Sequence, residues 1–142
     1  MKPLPHQYVV RLTAGPSGHA SVEADGMPDL RAAPPLEFDS PGDAWSPEHL
    51  LLAAVESCFL FTLRAVARAS RLEFTECDVT AEGTVDRADG VTRFTEIVLR
   101  PRLRLAAGAD LDRARRVMEK AERACLVSAS LATPVRLEAH VA

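Results

Sequence analysis

Two cysteines stand at two distant helical positions of this 142-residue chain, Cys58 within an almost wholly apolar run and Cys125 at the end of an amphipathic one. If the two helices pack together, the thiols meet. A thiol pair inside a small domain can reduce an oxidant by cycling between dithiol and disulfide, with no other cofactor. Taken singly, each also reads as a small buried hydrophobe, and that is the reading for Cys77, which falls in a segment of strand character. There is no CxxC, no paired His/Cys spacing and no HExxH. His6, His19, His49 and His140 are scattered, so no metal site and no cofactor is expected. Three cysteines do not make a disulfide framework, and free or cycling thiols are the default in a reducing compartment.

Composition bounds what can surround such a pair. A chain of this length with 47% hydrophobic residues is expected to form one domain, residues 1–142, with a real core. Basic and acidic residues number 17 and 20, for a net charge of −3, which argues against nucleic acid as a partner. Local arginine groups, Arg113, Arg115 and Arg116 on one segment and Arg100, Arg102 and Arg104 on another, read as solvated faces. The longest apolar run, Leu50 to Val55, is too short to cross a bilayer. Met1-Lys2-Pro3-Leu4-Pro5-His6 has no signal-peptide character, so no membrane association and a cytoplasmic location are expected.

The elements that must position the thiols follow from periodicity. Gln7–Ala14, His19–Ala24 and Leu30–Ala33 read as three short strands, and residues 34–45 as a proline-bearing loop. Ser46-Pro47-Glu48 is a helix start: a hydroxyl to cap, proline at the first turn and an acid at the positive end of the dipole. The helix runs to about Ser70 and is apolar on nearly all sides. Glu76–Asp86 and Thr92–Leu105 flank Asp89-Gly90 as a hairpin, Leu111 to Cys125 repeats at helical spacing behind Asp110, and residues 134–141 alternate as a last strand. The class is α+β, in the order βββ-α-ββ-α-β. Strands that cover one side of so apolar a helix leave the rest bare, and a homodimer burying the Leu50–Phe61 segment is the economical solution.

Ser46-Pro47-Glu48-His49-Leu50-Leu51, then Ser57-Cys58-Phe59 on the same helix, and Ala124-Cys125-Leu126-Val127-Ser128 after the second helix together resemble the OsmC/Ohr family of thiol-dependent hydroperoxide reductases. The resemblance covers essentially the whole chain. It implies an OsmC-like fold in which two core helices pack between antiparallel sheets in an intertwined homodimer. It also implies that Cys58 is the peroxidatic thiol, that Cys125 resolves it, and that Glu48 orients the charged group activating the thiolate. An organic hydroperoxide is the implied substrate, and a dithiol, lipoyl in part of the family, the implied reductant.

An unperturbed thiol of pKa about 8.5 is only about 3% thiolate at neutral pH, so activation is needed. The family draws an arginine from its N-terminal third. Here Arg31 is the candidate activating cation, with Arg11 beside it and His19 a weaker choice. The family also commonly has proline directly after the second cysteine and a polar residue downstream, where this chain has Leu126 and Ala129. Leu36, Phe38, Phe59 and Phe61 are expected to line an apolar substrate pocket, with Trp45 as a wall or a packing residue before the cap. Glu56 faces either the site or the dimer interface. The alternative function is a dimer of the same fold that binds an apolar small molecule without peroxidase turnover.

Overall fold

The computed structural model describes residues 1–142, in two compact units, Met1–Leu50 and Leu51–Ala142. The first carries a three-stranded antiparallel sheet, β1 (Arg11–Thr13), β2 (Ala20–Glu23) and β3 (Leu30–Ala32). β1 is shorter than the alternation over 7–14 predicts. β2 has only four residues to pair with, and the register starts at Arg11 opposite Glu23, so residues 7–10 have no ladder. In the expected loop, Leu36–Phe38 make one 3-10 turn, ended by Asp39 at φ 58°. This unit buries only Ala32, Pro35 and Ser46 and leaves Tyr8, Val9, Val10, Leu12, Leu36 and Phe38 exposed.

Helix α1 (Pro47–Ala69) begins as expected: the Ser46 hydroxyl accepts from the His49 backbone N–H at 3.2 Å and contacts His49 Nδ1 at 2.6 Å. Such a cap is worth about 1 kcal/mol. Within the second unit α1 buries one stripe at four-residue spacing, Val55, Phe59, Leu63 and Ala67. Its length and apolar composition meet those of a membrane-crossing helix, with 22% of its most apolar window buried. Glu56, Arg64 and Arg68 interrupt that surface.

The stripe packs with Ile97, Leu99 and Leu103 of β5 (Val91–Leu105) and with Ala114, Val117, Met118 and Ala121 of α2 (Leu111–Arg123) in one core. β4 (Phe74–Ala88) and β5 form the predicted hairpin. Asp89 and Gly90 sit at φ 51° and 77°, the left-handed pair that a two-residue loop of this twist requires. Two register shifts leave Thr75 and Thr95 as extra residues, and each donates its hydroxyl across the ladder, to Arg104 O and Thr84 O. Gly83 lets Leu52 approach β4: a Cβ there would lie 2.9 Å from the Leu52 side chain and 2.5 Å from the Phe94 ring.

The expected all-antiparallel arrangement needs correction in this second sheet. β6 (Val135–Leu137) and β7 (His140–Val141) both join β5 in parallel, Ile97 opposite Val135 and Leu103 opposite Val141. Residues 106–134, which contain α2 and the short helix α3 (Leu126–Ala129), supply the long crossover that parallel pairing needs. The single last strand is two short ones, with a step at residues 138–139. On the solvent face, Arg100 pairs with Glu82 and Glu138, Arg136 with Glu96 and Glu138, and Arg104 with Glu76, so the alternating arginines of β5 are a solvated face as read.

Candidate functional site

The core that joins α1 to α2 also decides where the sulfurs go. Cys58 precedes Phe59 on the buried stripe and is half-buried, whereas Cys125, fully buried, follows the buried face of α2. α2 is capped at its start by Asp110, whose carboxylate accepts from the Asp112 and Arg113 N–H groups, and ends at Arg123. Cys125 is then the N-cap of α3, its carbonyl accepting from Ala129 N at 3.0 Å. This corner turns the first N–H groups of α3, those of Leu126 and Val127, toward Cys58.

The two thiols are close enough to act on each other's ionisation, shift in opposite directions, and are both unbridged. Burial alone would raise Cys58. The Val127 N–H, the Cys125 thiol, the Leu126 N–H and the Thr62 side chain, acting on the same sulfur, outweigh burial and hold Cys58 below the ordinary thiol value. Cys125 ends above it, because burial and the adjacent Cys58 sulfur outweigh help from Ser128. One thiol is therefore the more easily ionised, and its neighbour keeps its proton and donates it. That is the division of labour a nucleophile and its resolving partner require. Cys77 is different: burial and the Asp78 charge push it up to about 11.

The other predicted residues are dispersed. Glu48 lines an apolar cavity of about 530 Å³ within the first unit, among Leu12, Pro34, Pro35, Phe38 and Pro47. Its Oε2 atom is buried with no hydrogen-bond partner. Arg31 is held in place by His19, at 3.2 Å, and Asp43, at 3.7 Å, and Arg11 pairs with Asp25 at 3.0 Å. Of the expected pocket residues, Phe38 lines that cavity, while Leu36 lies beside Gly42. Trp45 is half exposed and meets the His49 ring edge-on at 6.5 Å. Phe59 is wholly buried in the core, and Phe61 is exposed with the Arg64 guanidinium 5.3 Å above its ring. Glu56 lies against β4, where burial raises its carboxyl although the Ala81 N–H partly offsets this.

Sequence reading missed Thr62 and the Leu126 and Val127 amides. Thr62 was recoverable, since four residues from Cys58 places it on the same helix face. The amides were not, because nothing in Leu126-Val127-Ser128-Ala129 announces a one-turn helix.

A family model described as OsmC-like protein matches residues 40–140. The uncharacterized protein YmaD of Bacillus subtilis (strain 168) is 33% identical over 107 residues, 73% of this chain and 71% of that protein. Among solved structures, an OsmC-like protein of unknown function from Vibrio cholerae superposes with a TM-score of 0.87 at 22% identity, covering 95% of this chain and 99% of the other. An organic hydroperoxide resistance protein OsmC from Legionella pneumophila does so with a TM-score of 0.77 at 22% identity, over 99% of each chain.

Proposed function

This chain belongs to the OsmC-like protein family, and from that premise we propose that it is a cytoplasmic homodimer that reduces organic hydroperoxides with Cys58 and Cys125. The Cys58 thiolate attacks the terminal oxygen of the hydroperoxide. The O–O bond breaks, the alkoxide leaves and takes a proton to become the alcohol, and Cys58 becomes a sulfenic acid. Cys125 then attacks the Cys58 sulfur, hydroxide leaves and is protonated to water, and a Cys58–Cys125 disulfide remains. A small or lipoyl dithiol supplies the two electrons and two protons that restore both thiols.

The observation that carries this reading is the asymmetric thiol pair, Cys58 drawn down by four donors and Cys125 held up beside it. Glu48, with an unpartnered carboxylate oxygen, has the character of a group that holds an activating cation. Arg31 is its proposed source, released from Asp43 and His19 on assembly. The homodimer reading is supported by the bare apolar side chains of residues 1–50 and by the incompletely buried α1 surface from Leu50 to Phe61. A second reading, apolar ligand binding without turnover, is favoured by the cavity among Leu12, Pro34, Pro35 and Phe38.

One equivalent of cumene hydroperoxide added to the reduced protein separates the two. Peroxidase chemistry predicts loss of two hydrogens by mass and a peptide pair linked through Cys58 and Cys125, absent in Cys58→Ser. Unchanged thiols would leave the ligand-binding reading.

A further inference from the structure

Within the second unit, the end of α1 away from Cys58 holds a concentration of positive charge that the net charge of −3 conceals. Arg71 lies about 20 Å along the chain direction of α1 from Cys58. Three cavities meet at it. One of about 720 Å³ is lined by Arg64, Arg68 and Arg71 and by one acid, Glu73; one of about 550 Å³ by Ser70, Arg71, Arg113, Arg116, Val117 and Lys120; the third also holds Arg113 and two acids, Glu73 and Asp110. The middle cavity has four cations and no acid.

Arg64 lies over the Phe61 ring and the Asp110 carboxylate is near enough to feel Arg113 and Arg116, but none of these cations is in an ion pair. The ion pairs of the chain engage Arg11, His19, Arg31, Arg100, Arg104 and Arg136, and none of these six. The negative end of the α1 dipole gives Arg68 and Arg71 a local reason to be there. It gives none to Arg113, which sits in the first turn of α2, where the dipole disfavours a cation, or to Arg116 one turn on; the Asp110 carboxylate at the helix start is the local charge that acts on both. Arg113, Arg116 and Lys120 follow the helical period, so one face of α2 is aimed at the end of α1.

The backbone adds an independent sign. α1 ends in a reversed turn in which the Leu72 N–H donates to Ala67 O at 2.9 Å and the Arg71 N–H to Arg68 O at 3.2 Å, with Arg71 at φ 54°. This is the helix ending whose left-handed position is usually glycine. The other non-glycine residues at positive φ, Asp39 and Asp89, are of a type that tolerates it; arginine is not. A strained residue with a charged side chain, kept where glycine would relax the turn, marks a site where the side chain is used.

We propose that the cavity between the C-terminal end of α1 and the Arg113–Lys120 face of α2 binds a ligand carrying two or more linked phosphates. Guanidinium forks match phosphate oxygens in pairs, and several unpaired cations around one cavity call for more than a single anion charge. No aromatic side chain lines this cavity, so it offers nothing for a base to stack on, and the phosphate chain is what it recognises.

Calorimetry and thermal unfolding of the full-length protein with sodium tripolyphosphate, ADP, AMP and inorganic phosphate test the site. Tripolyphosphate and ADP are expected to bind with affinities within about threefold of each other and at least about tenfold above AMP and phosphate, weakening steeply with added salt. Arg71→Gly should unfold about 2–4 °C higher than the parent, the strain being gone, yet bind tripolyphosphate at least about tenfold more weakly. The Arg116→Ala, Lys120→Ala double variant should also lose at least about tenfold. Equal affinity for AMP and tripolyphosphate, binding of ADP without tripolyphosphate, tighter binding of a single-stranded oligonucleotide than of tripolyphosphate, no binding at millimolar concentration, or unchanged affinity in both variants would each overturn the proposal.

Discussion

Cys58 and Cys77 are both half-buried thiols in the second unit, yet one is held below the ordinary value and the other is pushed to about 11. Burial acts in the same direction on both. The difference is what else reaches the sulfur: at Cys58 two free amides of α3, a hydroxyl side chain one helical turn on and a second thiol; at Cys77, on β4 opposite Leu103, the charge of Asp78 and its backbone carbonyl, which accepts from the thiol at 4.0 Å, and no donor. A backbone amide inside a β-ladder has a carbonyl to satisfy, whereas the first amides of a helix have none, so the helical corner can spend donors on a thiolate and the strand cannot.

The comparison can be broken at one position after another. Phe59→Ala tests whether the corner depends on the core beneath it: the side chain is wholly buried, and its loss should destabilise the fold by about 3–5 kcal/mol, measured in denaturant titrations. Cys125→Ala leaves the fold but removes both resolving sulfur and donor; hydroperoxide oxidation should stop at a Cys58 sulfenic acid trapped by dimedone, with dithiol-driven turnover at background. Leu126→Pro removes one amide at a first helical position where proline is tolerated, so stability should change by no more than about 1 kcal/mol. Losing a donor to the thiolate raises the Cys58 pKa, so less thiolate is present at neutral pH and alkylation slows. Thr62→Val, nearly isosteric, should shift the same profile upward by less, since it is the last of the four contributors.

The same contrast explains what the sequence could disclose. Ser46-Pro47 as a helix start and Asp89-Gly90 as a two-residue turn are local facts, written in residues a few places apart, and both are found as read, whereas the helix read as apolar on nearly all sides buries only the stripe Val55, Phe59, Leu63 and Ala67. The parallel entry of β6 and β7 depends on where α2 delivers the chain, and the length of β1 on how much of β2 lies opposite, so neither is local. The thiol pair was legible as an expectation of contact. Its polarity was not, because Leu126 in place of proline reads as a departure from a family pattern, whereas in the fold it provides an N–H that proline lacks.

Site-resolved alkylation of all three cysteines across pH, read by mass spectrometry in one sample of reduced protein, compares the two regions directly. Cys58 should become reactive first, at a pH below that of an ordinary thiol, with Cys125 later and Cys77 last, near pH 11. If Cys58 instead titrates with or after Cys77, the donors at the α3 corner do not stabilise its thiolate and the account of this site is wrong.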